Sequence, residues 1–199
     1  MKLYHNAASP FVRKVRVVLA ETGQSVDLVD VFITPTAPGD AVPAANPLGK
    51  IPALEREAGA TLYDSRVICR YLDDQAGGRL YPDAPRLWET LTLEATADGI
   101  MDAAVLMVYE SRVRPEEFQF SDWVEAQWLK ITRTLNAVEG RWMSHLAGPL
   151  DMSHIAMGCA LGYLDFRHGA RDWRAGHPGL AAWFETFAAR PSMVETGPA

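Results

Sequence analysis

Three short stretches carry side chains able to hold and ionise a small peptide-like ligand. The first is Ala8-Ser9-Pro10-Phe11, where a strand-like run meets a helix-like one. An anion there meets unpaired backbone N–H groups and the positive end of the helix dipole. A thiolate so placed has its pKa drawn down from about 8.5, and the Ser9 hydroxyl offers it one donor. The plain alternative is that Ser9 only caps the helix. The second stretch is Asn46-Pro47-Leu48-Gly49-Lys50-Ile51-Pro52-Ala53-Leu54. A cis Ile51–Pro52 bond before a strand would turn the Ile51 backbone outward to pair with a peptide-like ligand; a trans Pro52 would merely open an edge strand. The third is Tyr63-Asp64-Ser65-Arg66. At a helix start, Ser65 can accept a carboxylate through its hydroxyl and N–H, while Asp64 suits an adjacent ammonium. Together they fit an α-amino-acid head group, unless both residues are simply caps.

The elements that must position these residues follow from periodicity. Lys2–His5 is strand-like. Pro10 opens a helix with Phe11, Val12, Val15, Val18 and Leu19 on one face, Arg13, Arg16 and Ala20 opposite, and Gly23 as its stop. Val26–Val31 is β-rich, and 34–47 reads as irregular with one helical turn. Ala53–Glu57 and Thr61–Tyr63 flank Ala58-Gly59-Ala60 as a hairpin. Ser65 caps a helix burying Val67, Ile68, Tyr71 and Leu72. That order, β-α-β, loop, β-β-α, is thioredoxin-like. Residues 77–83 are rich in breakers and read as a linker. Beyond them the chain reads as helix: Ala84–Glu110 capped by Asp83, a stripe from Val124 through Trp128, Ile131, Leu135 and Val138 to Trp142, a Met152–Phe166 helix apolar nearly all round with Gly158 and Gly162, and a last helix at about 179–189 stopped by Pro191. The expected fold is an α/β thioredoxin-like N-terminal domain (1–76) joined by 77–83 to an all-α C-terminal helical domain (84–199).

Composition narrows the partners. The net charge of −6 argues against nucleic acid, which selects a basic footprint. Cys69 and Cys159 form neither a CxxC pair nor a metal cluster and read as buried free thiols. The first residues lack the apolar run of a signal peptide, and no window approaches the roughly 18 apolar residues of a membrane span. A soluble, cytoplasmic protein without metal, prosthetic group or membrane partner is expected.

Ser-Pro-Phe-x-Arg-Lys-Val near the start, Asn-Pro-x-Gly-Lys-Ile-Pro-Ala-Leu near residue 50 and Asp-Ser-x-x-Ile-x-x-Tyr-Leu near residue 65 resemble the glutathione transferase superfamily in order and spacing. Leu161 to Arg167, and His177-Pro178-Gly179-Leu180 through Trp183 to Arg190-Pro191-Ser192, look like its helical domain. The resemblance implies that Ser9 activates the glutathione thiol in a serine-type site and that Phe11 lies within the glutathione site. By the same resemblance Ile51, before a cis Pro52, pairs with the cysteinyl part, Asp64 and Ser65 hold the γ-glutamyl head, and Lys50 reaches the glycyl carboxylate. Glutathione would be co-substrate to a small hydrophobic electrophile in a cytoplasmic, detoxifying homodimer. An electrophile pocket would draw on Ala7, Phe11, Met101, Val105, Met107, Val108 and Tyr109, although such an apolar stripe is also what a core looks like. A glutathione-dependent lyase, dehalogenase or isomerase, or a non-catalytic regulatory or interaction protein, remains the alternative.

Two departures from the family pattern stand out. Ser9 replaces the cysteine of thiol-exchange relatives, which excludes a mixed disulfide there. The central helix opens with Asp151-Met152-Ser153-His154 rather than Ser/Thr-x-x-Asp, so His154 cannot supply the usual carboxylate of the capping box.

Overall fold

The structure, a computed structural model, describes residues 1–198. The chain divides into two compact units, residues 1–81 with the last residues from Glu195, and Pro82–Val194.

The first unit is built on β1 (Lys2–His5), β2 (Asp27–Asp30) and β3 (Ala53–Glu55) in the order β2-β1-β3. β1 pairs parallel with β2 and antiparallel with β3, Tyr4 lying opposite Ala53. Between β1 and β2 runs α1 (Pro10–Thr22), stopped where Gly23 takes the left-handed conformation that side chains resist. The single expected turn is α2 (Ala41–Ala45), and α3 (Ser65–Gln75) closes the unit.

Four expectations here are corrected. The hairpin's second arm is one isolated bridge, Leu54 to Leu62, not a strand. Asp64, not Ser65, is the N-cap of α3; its carboxylate accepts the Arg66 N–H at 3.0 Å, and Ser65 is the first helical residue. Val67 is 47% exposed, because the face of α3 that is buried runs through Ile68, Cys69 and Leu72. Arg13, placed by periodicity on the polar side of α1, is buried, as is Lys14. After α3 the linker is pinned, since the Asp73 carboxylate accepts the N–H groups of Arg79, Leu80 and Tyr81 at 2.8–3.1 Å.

The second unit contains α4 (Arg86–Arg112), α5 (Ser121–Arg141), α6 (Met143–Leu146), α7 (Met152–His168), α8 (Pro178–Ala188) and α9 (Pro191–Glu195), which reaches into the tail. α4 begins two residues later than expected and is not capped by the Asp83 side chain; Pro85 holds the cap position. Pro191 does not simply end the last long helix but opens α9, where its missing N–H is tolerated. α7 is the core, every residue from Met152 to Leu164 being buried. At Gly158 an added Cβ would lie 2.5 Å from a ring carbon of Phe187, so glycine is what lets α8 approach. α4 and α7 run parallel: Arg86 and Thr90 bond Asp151 at one end, and His168 bonds the Ala104 carbonyl towards the other. α8 is held at its start from a distance, the Glu139 carboxylate of α5 accepting the Gly179 and Leu180 N–H groups at 2.8 and 2.7 Å. Both cysteines are buried and outside any disulfide, and among the described residues no helix is long and apolar enough to cross a membrane.

Candidate functional site

The turn from β1 into α1 is shaped by Asn6. Its side chain accepts the Ala8 N–H and donates to the Val31 carbonyl, both at 3.0 Å, while its own carbonyl accepts the Ser9 N–H. This Asx turn places Ser9 at the N-cap of α1 with extended backbone, its Oγ accepting the Val12 N–H at 3.3 Å. Capping uses an Oγ lone pair and leaves the hydroxyl hydrogen to donate, so the capping and functional readings of Ser9 are compatible.

The second stretch is held by another asparagine. Buried Asn46 donates to the Lys50 carbonyl at 2.8 Å and accepts the Leu48 N–H at 3.0 Å. The Lys50 side chain is left in solvent, Ile51 is half-buried, and the Ile51–Pro52 bond is cis. Because Tyr4 faces Ala53 in the antiparallel register, Pro52 falls level with the exit of β1.

The third stretch reaches the same end. The charge of Lys14, in the second turn of α1, is felt at Asp64, while Gln24 just past α1 donates to the Leu72 carbonyl at 2.8 Å. α1 and α3 are therefore parallel, and both positive helix ends open beside the carboxyl end of β1. Asp64 is exposed and Ser65 is 2% exposed. Burial pushes the Asp64 carboxyl up, but bonds from the Arg66 side chain and N–H, with the charges of Arg66 and Lys14, outweigh it and hold the pKa below the ordinary value. An ammonium arriving at Asp64 must share it with Arg66, whose Nη2 is 2.8 Å away.

Ala7 and Phe11 are half-buried at the same turn. In the helical unit Val105, Val108 and Tyr109 are half-buried too, whereas Met101 and Met107 belong to the core. Asn6, Asn46, Lys14 and Arg66 are the contributors that spacing alone did not single out. Asparagine is itself a turn-forming residue, so the two asparagines carried a local signal; burial of the lysine had none.

His145, Asp151 and His154 bring donor atoms within 4.8 Å of one another. They are the cap of α7, and the Arg86 guanidinium, 3.0 Å from Asp151 Oδ2, already neutralises the carboxylate a cation would need.

The first unit thus carries two helix starts, the Ser9 hydroxyl and a cis Ile51–Pro52 bond. Residues 3–80 match the glutathione S-transferase N-terminal domain and residues 121–186 the C-terminal domain. An uncharacterized GST-like protein of Escherichia coli K12, YibF, is 35% identical over 100% of this chain and 98% of its own length. A glutathione transferase family member from Pseudomonas fluorescens Pf-5, solved with bound glutathione, superposes with a TM-score of 0.97 at 50% identity, covering 100% of this chain and 98% of that one. A second structure from that organism, with bound S-(propanoic acid)-glutathione, gives 0.92 at 48% identity and covers all of both chains. The chain belongs to the glutathione S-transferase family.

Proposed function

We propose that this protein is a glutathione transferase in which Ser9 ionises the bound thiol for attack on a small hydrophobic electrophile. The observation that carries the reading is the state of Ser9: its oxygen accepts from Val12 at the mouth of α1, and its hydrogen remains to be given. A charge-assisted hydrogen bond of about 1.5–3 kcal/mol, at 1.36 kcal/mol per pKa unit, with the helix end beside it, lowers the thiol by roughly one to three units. Starting from about 8.5, most of the bound sulfur is then thiolate near neutral pH.

The γ-glutamyl head sits at Asp64 and Ser65, the cysteinyl backbone pairs with Ile51 before Pro52, and Lys50 meets the glycyl carboxylate. The sulfur lone pair forms the new C–S bond; the leaving group departs with its bonding pair, or the electrons of a conjugated double bond move to the neighbouring carbon and take a proton from solvent. Positioning supplies much of the rate. The ligand of the Pseudomonas fluorescens relative, S-(propanoic acid)-glutathione, is a glutathione thioether, the class of product such a reaction leaves. A cytoplasmic homodimer is part of the reading, by family.

Conjugation of an aryl chloride, followed by product mass, tests it. The thioether is expected from wild type, with kcat reduced by about tenfold or more in Ser9→Ala. Glutathione binding without turnover of any electrophile would favour a scaffold, and regenerated glutathione in the product would favour lyase or isomerase chemistry.

A further inference from the structure

The side chain of Asn6 joins the turn that carries Ser9 to the far edge of the sheet. Its Oδ1 accepts the Ala8 N–H, its Nδ2 donates to the Val31 carbonyl, and its own carbonyl accepts the Ser9 N–H, each at 3.0 Å. Val31 follows β2, the outer strand of the order β2-β1-β3, and its N–H returns to the His5 carbonyl at 2.9 Å. His5 and Asp30, the last pair of the β1–β2 register, close the same end: His5 is buried and its Nε2 lies 3.0 Å from Asp30 Oδ1. Residues 6–9 therefore hang from the exit of β2 through one side-chain amide.

That link matters because the Ser9 side chain is held loosely from the helix. The Val12 N–H reaches Ser9 Oγ at 3.3 Å, beyond the usual span of about 2.7–3.2 Å for such a bond. The Arg13 N–H bonds the Ser9 carbonyl at 3.0 Å, which fixes the main chain and not the hydroxyl. Where Oγ sits is then set by the backbone frame beneath it, and Asn6 binds that frame at both Ala8 and Ser9. Few side chains can replace this amide. Aspartate accepts but brings no hydrogen for the Val31 carbonyl; serine accepts from Ala8 in a weaker turn and is too short to span to β2.

We propose that Asn6 is a positioning residue for the transfer reaction: it touches neither sulfur nor electrophile, and by tying residues 6–9 to Val31 it aims the Ser9 hydroxyl at the thiol. The inference rests on the reading of Ser9 given above. A displacement of the order of 1 Å at a reacting group costs up to about a hundredfold in rate, so a slack turn is felt in the chemistry. Glutathione itself is held elsewhere, at Asp64, Ser65 and Ile51, so affinity is spared.

The test is a double-mutant cycle between Asn6→Ala and Ser9→Ala in the whole chain. Its readouts are the pH titration of the bound thiol and, with an aryl chloride, kcat and the KM for glutathione. Asn6→Ala is expected to lower kcat about tenfold, raise the bound-thiol pKa by about one unit and hold KM within about twofold. In the Ser9→Ala background the same substitution should change kcat by less than about twofold and leave the thiol pKa in place, since no hydroxyl remains to be aimed. Asn6→Ser keeps the acceptor for Ala8 and loses the link to β2, so its losses should fall between those of wild type and alanine; it carries the comparison should the alanine variant not fold. Either variant at the wild-type kcat and thiol pKa, losses equal with and without the Ser9 hydroxyl, or a raised KM with kcat kept would overturn the proposal while the reading of Ser9 stands. A Ser9→Ala protein with the wild-type thiol pKa overturns both together.

Discussion

The Nδ1 atom of His154 lies 2.8 Å from Asp151 Oδ1 and 3.2 Å from the Asp151 backbone nitrogen, so an imidazole closes the capping box of α7. The missing family carboxylate is thus replaced in function. With an aspartate already at the cap, a second carboxylate three residues on would face it. A histidine can instead accept the N–H or donate to the carboxylate. It cannot do both through one nitrogen, and Nε2 is buried without a partner.

Replacing His154 with alanine removes the bond its Nδ1 makes to Asp151 and should cost about 1–3 kcal/mol in denaturant unfolding. His154→Asp should cost more at pH 7, by like-charge repulsion, and recover towards the alanine value as pH falls and one carboxylate takes a proton. An aspartate variant more stable than wild type at pH 7 contradicts the account.

Asp151 is the hub of that network. Burial raises its carboxyl, but bonds from His154 and Ser153, the His154 charge and the Arg86 bond hold it well below the ordinary carboxylate range. A group with a depressed native pKa stabilises above its unfolded value near 3.8 and loses that contribution as pH falls towards its native value. Asp151→Ala should therefore lose about 3–5 kcal/mol at pH 7, and its deficit should shrink only in strong acid. A deficit that already vanishes at pH 5, read by chemical denaturation, would rule this out.

Gly158 tests the packing of the helical core. Alanine there would meet the Phe187 ring at 2.5 and 2.6 Å. The expected loss is about 1–3 kcal/mol, recovered in part by Phe187→Leu, whose smaller side chain makes room. Additive losses in the double variant would show that the two residues do not share the strain.

Asp64→Asn separates ligand holding from chemistry. Asparagine caps a helix as well as aspartate does, so α3 should survive. Loss of the charge should raise the KM for glutathione about tenfold with little change in kcat, the reverse of Ser9→Ala. Because the Asp64 carboxyl is held below its ordinary value, wild-type KM should show no Asp64 titration between pH 5 and 7. A KM unchanged by the asparagine would remove Asp64 from the site.

Where a local signal sufficed, the sequence was readable: Ser9-Pro10 as cap and first turn, Gly23 as stop, Ile51-Pro52 before a strand, and α7 as a helix buried on all sides. It misled where two good caps were adjacent, as at Asp64-Ser65, since either can accept a first-turn N–H. Pro191 reads as a stop in the sequence yet opens α9, because proline both interrupts and opens helices. Burial of Arg13 and Lys14 and the Glu139 cap on α8 depend on residues distant along the chain. Periodicity within one element carries no record of them.

The central claim is that the Ser9 hydroxyl keeps the sulfur of bound glutathione ionised. Ultraviolet absorbance of the thiolate, titrated against pH in the wild-type complex and in Ser9→Ala, reads this directly. The account predicts a bound thiol roughly one to three units below the free value of about 8.5, returning towards it in the alanine variant. Identical titration curves for the two proteins, each saturated with glutathione, would contradict it.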